Sequence, residues 1–385
     1  MTDLILFYVG LALALFATGA FLYGFWTLMR STTLSERIRE LAKLLGLSRE
    51  ELNPILSARE HAWEQGGVMN PAVIRAGGKT HMFYRAVGAD GVSRIGYASS
   101  RDGIHIDERL PYPVFALAND ERDKTRSFAH HSGLSASGGS YAGVEDPRAV
   151  VIDDRMYLTF SAFRGWDSLR IAVSSISLED LFAKRWKWSD PVYLSPPGEV
   201  HKNWVLFPER VNGAFPVLHG FEKDREHASV AHLSTLMKDP SPYITSEAAH
   251  RDTVNSRVWD SRIRGAGPPP VKTKKGWLVL YHANDSREPH RYKLGAMLLD
   301  LLDPSKVLAR SPVPVLAPDT HYENDGKAGV VYACGATVDG DTLRVYYGGG
   351  DKVVCTASSS LSKLLQKLVP VEKTEHVLHP AFLPV

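Results

Sequence analysis

The most chemically distinctive stretch of the chain is the hexapeptide GVEDPR at residues 143–148, which leads into an apolar, strand-like run at 149–152. A proline fits the first residue of a strand, where its missing N–H costs least. Asp146 and Arg148 are two residues apart, so we expect their side chains on the same side of an extended chain. A carboxylic acid and a guanidinium directed into one space suggest a proton donor beside an anion site.

The bulk composition is that of a protein with a packed core. The chain has 385 residues, of which 44% are hydrophobic and 10% aromatic, and this length suits one large domain or two ordinary ones. The formal net charge of +2 is too small to indicate a basic surface for nucleic acid, so no nucleic-acid partner is predicted. Cys334 and Cys355 cannot form a disulfide framework and are expected to be buried free thiols.

One pattern of strands occurs five times along the chain, in copies that begin near residues 70, 146, 207, 268 and 330. Each copy starts with a Gly or Pro signal and continues through an apolar strand, a Gly or Asp turn and a second strand. Radial repetition of such sheets protects their edges. The pattern therefore predicts an all-β, five-bladed β-propeller at residues 57–385, whose first motifs converge on a central channel. A β-sandwich with chance similarity is the alternative.

The N-terminal segment is unusually apolar. Residues 4–29 contain no charged residue, and Arg30 ends the run, which is long enough to cross a bilayer as a helix. A signal peptide fits worse, because only Asp3 precedes the run. We therefore predict a transmembrane anchor at 1–30 and contact with the membrane through residues 4–29. Basic residues follow the span and none precedes it, which predicts a single-pass membrane protein with a cytoplasmic catalytic domain.

Residues 31–56 are predicted to form a short helical connector between the anchor and the propeller. Thr33 and Glu36 are spaced for a capping box, and Gly46 is a typical helix stop. No chemistry is assigned to this segment.

Six motifs, taken in their order along the chain, carry a resemblance to a known family. They are Asn70-Pro71, Tyr84-Arg85-Ala86, the hexapeptide at 143–148, Leu206-Phe207-Pro208-Glu209, the run GAGPPP at 265–270, and Tyr346-Tyr347-Gly348 with Asp351. Together these motifs closely resemble glycoside hydrolase family 130, the β-mannoside phosphorylases and related mannosidases. The resemblance covers about residues 53–363 and excludes the predicted anchor.

The resemblance implies a five-bladed propeller that acts on β-mannosides, of the mannooligosaccharide or mannosyl-glucose type. In the implied reaction, inorganic phosphate attacks the β-mannosidic bond with inversion and releases α-mannose 1-phosphate. Asp146 matches the family's acid, which is thought to act through a sugar hydroxyl. The resemblance also implies two sets of binding residues. The phosphate-binding set is Arg148, Arg170 and His219, and the sugar-binding set is Asn70, Arg85 and Asp351.

The chemistry of phosphate makes this pattern reasonable. An ordinary inverting glycosidase needs one carboxyl as the acid and another as the base that activates water. Phosphate is already an anionic nucleophile, so it needs cations to hold it rather than a base. Phosphate is then a co-substrate, and neither a cofactor nor a metal is predicted, because His130-His131 has no partner at metal-ligand spacing.

Two positions depart from the family pattern. The chain has Gly220 where the family usually has arginine after Leu-His, and it has Lys327-Ala328-Gly329-Val330 where the family usually has Pro-Asn. These departures leave two alternatives open. One is a hydrolase of the same family whose base is a glutamate such as Glu145, Glu209 or Glu323. The other is a non-catalytic glycan-binding propeller. The oligomeric state is also open, with a homo-oligomer among the alternatives.

Overall fold

Antiparallel strands dominate the computed structural model, which describes residues 46–117, 137–165, 169–221, 226–238 and 259–371. The first of these strands is β1 (Ser48–Arg49). The described helices are short: α1 (Leu178–Phe182), α2 (Leu233–Leu236), a 3₁₀ helix (His321–Glu323) and α3 (Leu361–Gln366). The prediction of an all-β chain is therefore confirmed.

Two strand meanders form one eight-stranded sheet. The first meander consists of β2 (Gly67–Ala76), β3 (Lys79–Val87), β4 (Val92–Ser100) and β5 (Glu108–Arg109). The second consists of β6 (Ala142–Ile152), β7 (Arg155–Phe163), β8 (Leu169–Ser177) and β9 (Val192–Tyr193). A parallel pairing of β4 with β6, at Ser93 and Gly143, joins the two.

Three further meanders follow in separate sheets. The third consists of β10 (Val205–Leu206), β11 (Pro216–Phe221) and β12 (Ala228–His232). The fourth consists of β13 (Arg262–Ala266), β14 (Val271–Thr273), β15 (Gly276–Asp285), β16 (Glu288–Leu299) and β17 (Val307–Arg310). The fifth consists of β18 (Val331–Asp339), β19 (Thr342–Gly349) and β20 (Val353–Ser360).

Two short strands tie the ends of the described chain to these sheets. β1 pairs with the outer edge of β20, where Ser48 lies opposite Ser358. The last strand, β21 (Val369–Pro370), pairs with β17 of the fourth meander. Both pairings satisfy backbone groups at an edge that would otherwise be open.

Each meander buries both of its faces because side chains alternate along a strand. In β15, Val279 packs in the core shared with the third meander, whereas Leu280 packs in the core shared with the fifth. The same arrangement recurs between the first and second meanders and between the second and third. A further core joins Tyr346 of the fifth meander to Val73 of the first. Cys334 and Cys355 are buried and free, as predicted.

A bulge interrupts the inner strands β2 and β6 at matching places. The pairing register shifts between Met69 and Ala72 and between Glu145 and Arg148. Asn70 and Asp146 lie at these bulges with positive φ of 49° and 48°. The predicted start of a strand at Pro147 is therefore wrong, since β6 begins at Ala142. Proline is tolerated inside the strand because the bulge leaves no ladder hydrogen bond for its missing N–H.

The predicted location as a single-pass membrane protein is corrected. The described parts of the chain hold no helix that is long and apolar enough to cross a membrane. The longest helix in those parts, α3, has six residues and spans about 9 Å, against a hydrocarbon core of about 30 Å. The anchor predicted at 1–30, with its span at 4–29, lies outside the described residues.

The predicted helical connector at 31–56 is described only from residue 46 onward. That part contains β1 and a turn and no helix. The helix that is predicted to end at Gly46 lies almost wholly outside the described residues. Residues 48–49 pair with a strand more than 300 positions away, which local sequence signals do not reveal.

We expect Gly143→Ala to destabilise the fold through the junction of the first two meanders. Gly143 has a φ of +112°, and an added Cβ would lie 2.1 Å from the backbone oxygen of Ser93. Gly78→Ala is the matched control, because Gly78 also has a positive φ but faces open space. Chemical denaturation should show a loss of about 2–4 kcal/mol for Gly143→Ala and about 1 kcal/mol for Gly78→Ala. Equal losses would show that the junction tolerates a side chain.

Candidate active site

A polar cavity of about 180 Å³ is lined by residues from or next to all five meanders. The lining residues are Asn70, Arg85, Ser137, Gly138, Asp146, Lys202, Asn203, Arg264, Tyr292, Lys327, Val330, Tyr332 and Asp351. Four of the seven predicted site residues are among them. The cavity therefore brings together the predicted acid, Asp146, and the predicted sugar-binding set.

The Asp146 carboxylate is held in place by hydrogen bonds from two residues of the first meander. Its Oδ1 accepts hydrogen bonds from Nδ2 of Asn70 at 2.8 Å and from Nη1 of Arg85 at 3.0 Å. The Oδ1 atom of Asn70 is buried and has no hydrogen-bond partner among the described residues. A buried acceptor without a donor is costly, so this atom suits a ligand hydroxyl.

The charge state of Asp146 follows from its cationic surroundings. Burial opposes ionisation, but the charges of Arg85, Lys202 and Arg148 hold the pKa of its carboxyl well below the usual range. Asp146 is therefore ionised in the unliganded protein. Donating a proton from this position requires something that offsets those positive charges.

The buried guanidinium of Arg85 stabilises the cavity wall through hydrogen bonds. Its guanidinium donates to Asp146, to both Ser140 Oγ and Glu145 Oε1 at 2.9 Å, to Ser93 Oγ at 2.9 Å and to the Ser137 carbonyl. Burial opposes its charge, yet Glu145 and Asp146 raise its pKa above the ordinary value. With so many donors used within the protein, Arg85 mainly orients its neighbours.

Arg148 lies behind the cavity wall. Its Nε donates to the Gly267 carbonyl at 3.0 Å, and one Nη donates to Asn203 Oδ1 at 2.8 Å. The other Nη donates to the backbone oxygen of Asp146 rather than to its carboxylate. The expectation that Asp146 and Arg148 share one open space is therefore not met, because the bulge between them breaks the side-chain alternation.

The other two predicted phosphate-binding residues also lie outside the lining. Arg170 donates to the Ser195 carbonyl at 2.8 and 2.6 Å, and its guanidinium lies 4.1 Å from the ring centre of Tyr193. The ring of His219 packs beside Trp204, with 5.3 Å between ring centres. The structure does not bring these side chains into the cavity.

Three cations outside the predicted phosphate-binding set do line the cavity: Lys202, Arg264 and Lys327. Lys202 Nζ donates to Ser137 Oγ at 2.7 Å and lies 3.3 Å from Glu145 Oε2. Lys327 Nζ lies 3.4 Å from Asp351 Oδ2. Arg264 and Lys327 both approach the ring of Tyr292, at 5.9 and 5.6 Å from its centre.

Sequence signals for these cations were weak but present in two cases. Arg264 directly precedes the run at 265–270 that carries part of the family resemblance, and Lys327 begins the loop that departs from the family pattern. Lys202 belongs to none of the motifs, and only the fold places it next to Glu145.

An all-β scaffold that surrounds one polar cavity with a carboxylate, amides and cations is the kind of site that carbohydrate-active enzymes have. The chain belongs to glycoside hydrolase family 130, since a family model described as beta-1,4-mannooligosaccharide phosphorylase matches residues 57–369. The family predicted from the motifs is thereby confirmed.

Characterised relatives are phosphorylases. A 1,2-beta-oligomannan phosphorylase of Thermoanaerobacter sp. (strain X514) is 36% identical over 326 residues, covering 82% of this chain and 97% of the relative. A beta-1,2-mannobiose phosphorylase of the same organism is 34% identical, covering 79% and 94%. A solved structure described with glycoside hydrolases that target beta-1,2 mannosidic linkages in Candida mannan has a TM-score of 0.64 at 25% identity, covering 82% and 94%.

The depressed pKa of Asp146 predicts how its contribution to stability depends on pH. An ionised Asp146 stabilises the fold above the ordinary carboxyl pKa of 3.8, and this contribution is lost as the pH falls toward the lower folded-state pKa. We therefore expect Asp146→Asn to lower the thermal midpoint at pH 7, with a difference from wild type that shrinks below about pH 4.

Asp153→Asn is the matched control for this series, because Asp153 also has a positive φ, 54°, but lies exposed in a turn. It should leave the thermal midpoint at pH 7 close to that of wild type. A constant gap between Asp146→Asn and wild type from pH 7 to 3 would contradict the charge assignment.

Proposed function

We propose that this protein is an inverting phosphorylase of β-mannosides that releases α-mannose 1-phosphate. The observation that carries the proposal is the composition of the cavity: one acid, Asp146, faces a space lined by Lys202, Arg264 and Lys327. Asp351, the other carboxylate in the lining, is paired with Lys327. An acid with a cluster of cations suits a reaction in which an anion is the nucleophile.

We further propose that the five meanders close into a five-bladed β-propeller. Consecutive meanders share buried cores, and the core joining Tyr346 to Val73 supports closure of the fifth onto the first. Contacts between the inner strands β18 and β2 give the same support. In a ring of this kind the bulges at Asn70 and Asp146 face the central channel.

The reaction has a simple proton balance. A phosphate oxygen attacks the anomeric carbon of the mannosyl unit, and the bond to the leaving oxygen breaks with inversion. Asp146 supplies a proton to the leaving oxygen, relayed by a sugar hydroxyl. Because Asp146 is ionised before phosphate binds, the proton that it supplies comes from the incoming hydrogen phosphate, and the alcohol product finally carries it.

Binding of phosphate also explains how Asp146 can become protonated despite its low pKa. Its negative charge offsets the charges of Lys202 and Arg85, which favour the ionised carboxylate in the unliganded protein. Protonation of Asp146 therefore becomes easier once the co-substrate is bound. This coupling makes the acid active when the nucleophile is present.

For the phosphate site we propose Lys202, Arg264 and Lys327. The roles predicted for Arg148, Arg170 and His219 stay predictions, and in the unliganded protein Arg148 donates to Gly267, Asn203 and the backbone of Asp146. Asn70, Arg85 and Asp351 remain the proposed sugar-binding set, supported by their place in the cavity lining.

The hydrolase alternative needs a glutamate base, and none of its three candidates lines the cavity. Glu145 is buried and accepts from Arg85, Ser137 and Ser140. Glu323 is buried against Arg49, and Glu209 pairs with Lys272 at the surface. This arrangement favours phosphorolysis over hydrolysis.

Product analysis of the full-length protein tests the proposal. Because both relatives named above act on β-1,2-linked mannosides, β-1,2-mannobiose is the first substrate to use, with and without inorganic phosphate. We expect mannose 1-phosphate and mannose in equal amounts, and no turnover without phosphate. Asp146→Asn should lower the rate by about 10²–10⁴-fold, whereas Asp153→Asn should not. Equal release of mannose in both conditions would establish hydrolysis instead.

Replacing Lys327 should weaken phosphate binding specifically. We expect Lys327→Met to raise the KM for phosphate about tenfold through the loss of one charge-assisted contact, with a smaller change in kcat. Lys306→Met is the matched control, because Lys306 also lies 3.4 Å from an aspartate, Asp303, and is 62% exposed against 55% for Lys327. Initial rates at varied phosphate measure the effect, and an unchanged KM would remove Lys327 from the phosphate site.

A further inference from the structure

One loop, residues 317–330, places Lys327 and Val330 in the cavity lining; we call it the cavity loop. It has little regular structure beyond the 3₁₀ helix. Its shape must therefore come from side-chain and backbone hydrogen bonds rather than from a sheet. The residue at the centre of those bonds is Glu323, whose side chain is fully buried.

The carboxylate of Glu323 is saturated with donors. Oε1 accepts from Arg49 Nε at 2.8 Å and from the Tyr347 hydroxyl at 2.9 Å. Oε2 accepts from Arg49 Nη2 at 2.9 Å and from the backbone N–H groups of Asp319 at 2.8 Å and Thr320 at 3.1 Å. This bidentate pairing of the Arg49 guanidinium with the Glu323 carboxylate is among the strongest hydrogen-bonding arrangements of a carboxylate.

Arg49 reaches Glu323 from the other end of the chain. It lies on β1, opposite Ala357 of β20, and its Nη2 also donates to the Ala317 carbonyl at the start of the cavity loop. Burial opposes its charge, but the hydrogen bond with Glu323 raises its pKa above the ordinary value. Arg49 is not among the residues that line the cavity.

A short chain of bonds runs from Glu323 to the cavity. The Val330 N–H donates to the Glu323 carbonyl at 3.1 Å, and the Gly329 N–H donates to Asn324 Oδ1 at 3.0 Å. The Lys327 N–H donates to the carbonyl of Gly350 at 2.7 Å, next to Asp351. The position of Lys327 thus depends on the segment that Glu323 anchors.

We propose that Arg49 is a positioning residue for the phosphate site: through Glu323 it fixes the cavity loop, and the loop fixes Lys327. This inference rests on the proposed phosphorylase function for its kinetic consequence but not for its structural one. Arg49 touches no substrate and transfers no proton. It makes the short strand β1 a part of the active-site support.

Arg49→Lys tests the proposal, because it keeps the charge and removes the two-pronged geometry. We expect the KM for phosphate to rise about five- to tenfold, with kcat at saturating phosphate within about twofold of wild type. Amide hydrogen exchange should become faster in residues 319–330 and stay unchanged in the first meander. Arg59→Lys is the matched control, since Arg59 pairs with another fully buried carboxylate, Glu64, away from the cavity loop.

Asn324→Ala is a second variant that acts between Glu323 and Lys327 without touching Arg49. It should also raise the KM for phosphate, and the double variant should show less than the product of the two effects. Faster exchange in the cavity loop supports the structural step even if the wild type makes no mannose 1-phosphate, in which case the proposed function fails by itself. Unchanged loop exchange in Arg49→Lys, or equal effects of Arg59→Lys on phosphate KM, would overturn the proposal.

Discussion

The structure depends on one buried charge cluster, in which the Arg85 guanidinium joins the Asp146 and Glu145 carboxylates. Arg85 belongs to the first meander and the two acids to the second, so the cluster ties these sheets together at the cavity. Burying charges is costly unless they are paired and hydrogen-bonded, and here the guanidinium of Arg85 pairs with both carboxylates. The same cluster holds Asp146 beside Asn70 and keeps it ionised. The contacts of Arg85 therefore both join the two meanders and keep Asp146 ionised.

In the proposed reaction, the cations around Asp146 have two consequences. They favour binding of a phosphate anion, and they suppress the basicity of the acid until that anion arrives. A hydrolase would gain nothing from this arrangement, because water brings no charge to offset Lys202 or Arg85. An anionic co-substrate thus suits the electrostatics of the cavity, in line with the phosphorylases among the relatives of the chain.

Local patterns predicted the strands of the first two meanders, because apolar alternation and turn residues act over a few positions. They failed where distant segments meet. Because of the bulge at Asp146, the side chain of Arg148 does not line the cavity. Lys202 and Lys327 reach the cavity from loops. β1 pairs with β20, although the two strands are separated by nearly the whole chain. A run of apolar residues suggested a membrane location, which the described helices do not support.

The decisive experiment for the coupling between Asp146 and phosphate is to measure the pKa of Asp146 with and without phosphate. Carboxyl carbon NMR of protein labelled at aspartate, with Asp146→Asn to assign the signal, reports ionisation at this one side chain. This coupling predicts that Asp146 titrates below the ordinary value of 3.8 in the free protein and that saturating phosphate moves its midpoint upward. A midpoint at or above 3.8 in the free protein, or one that phosphate leaves unchanged, would contradict it.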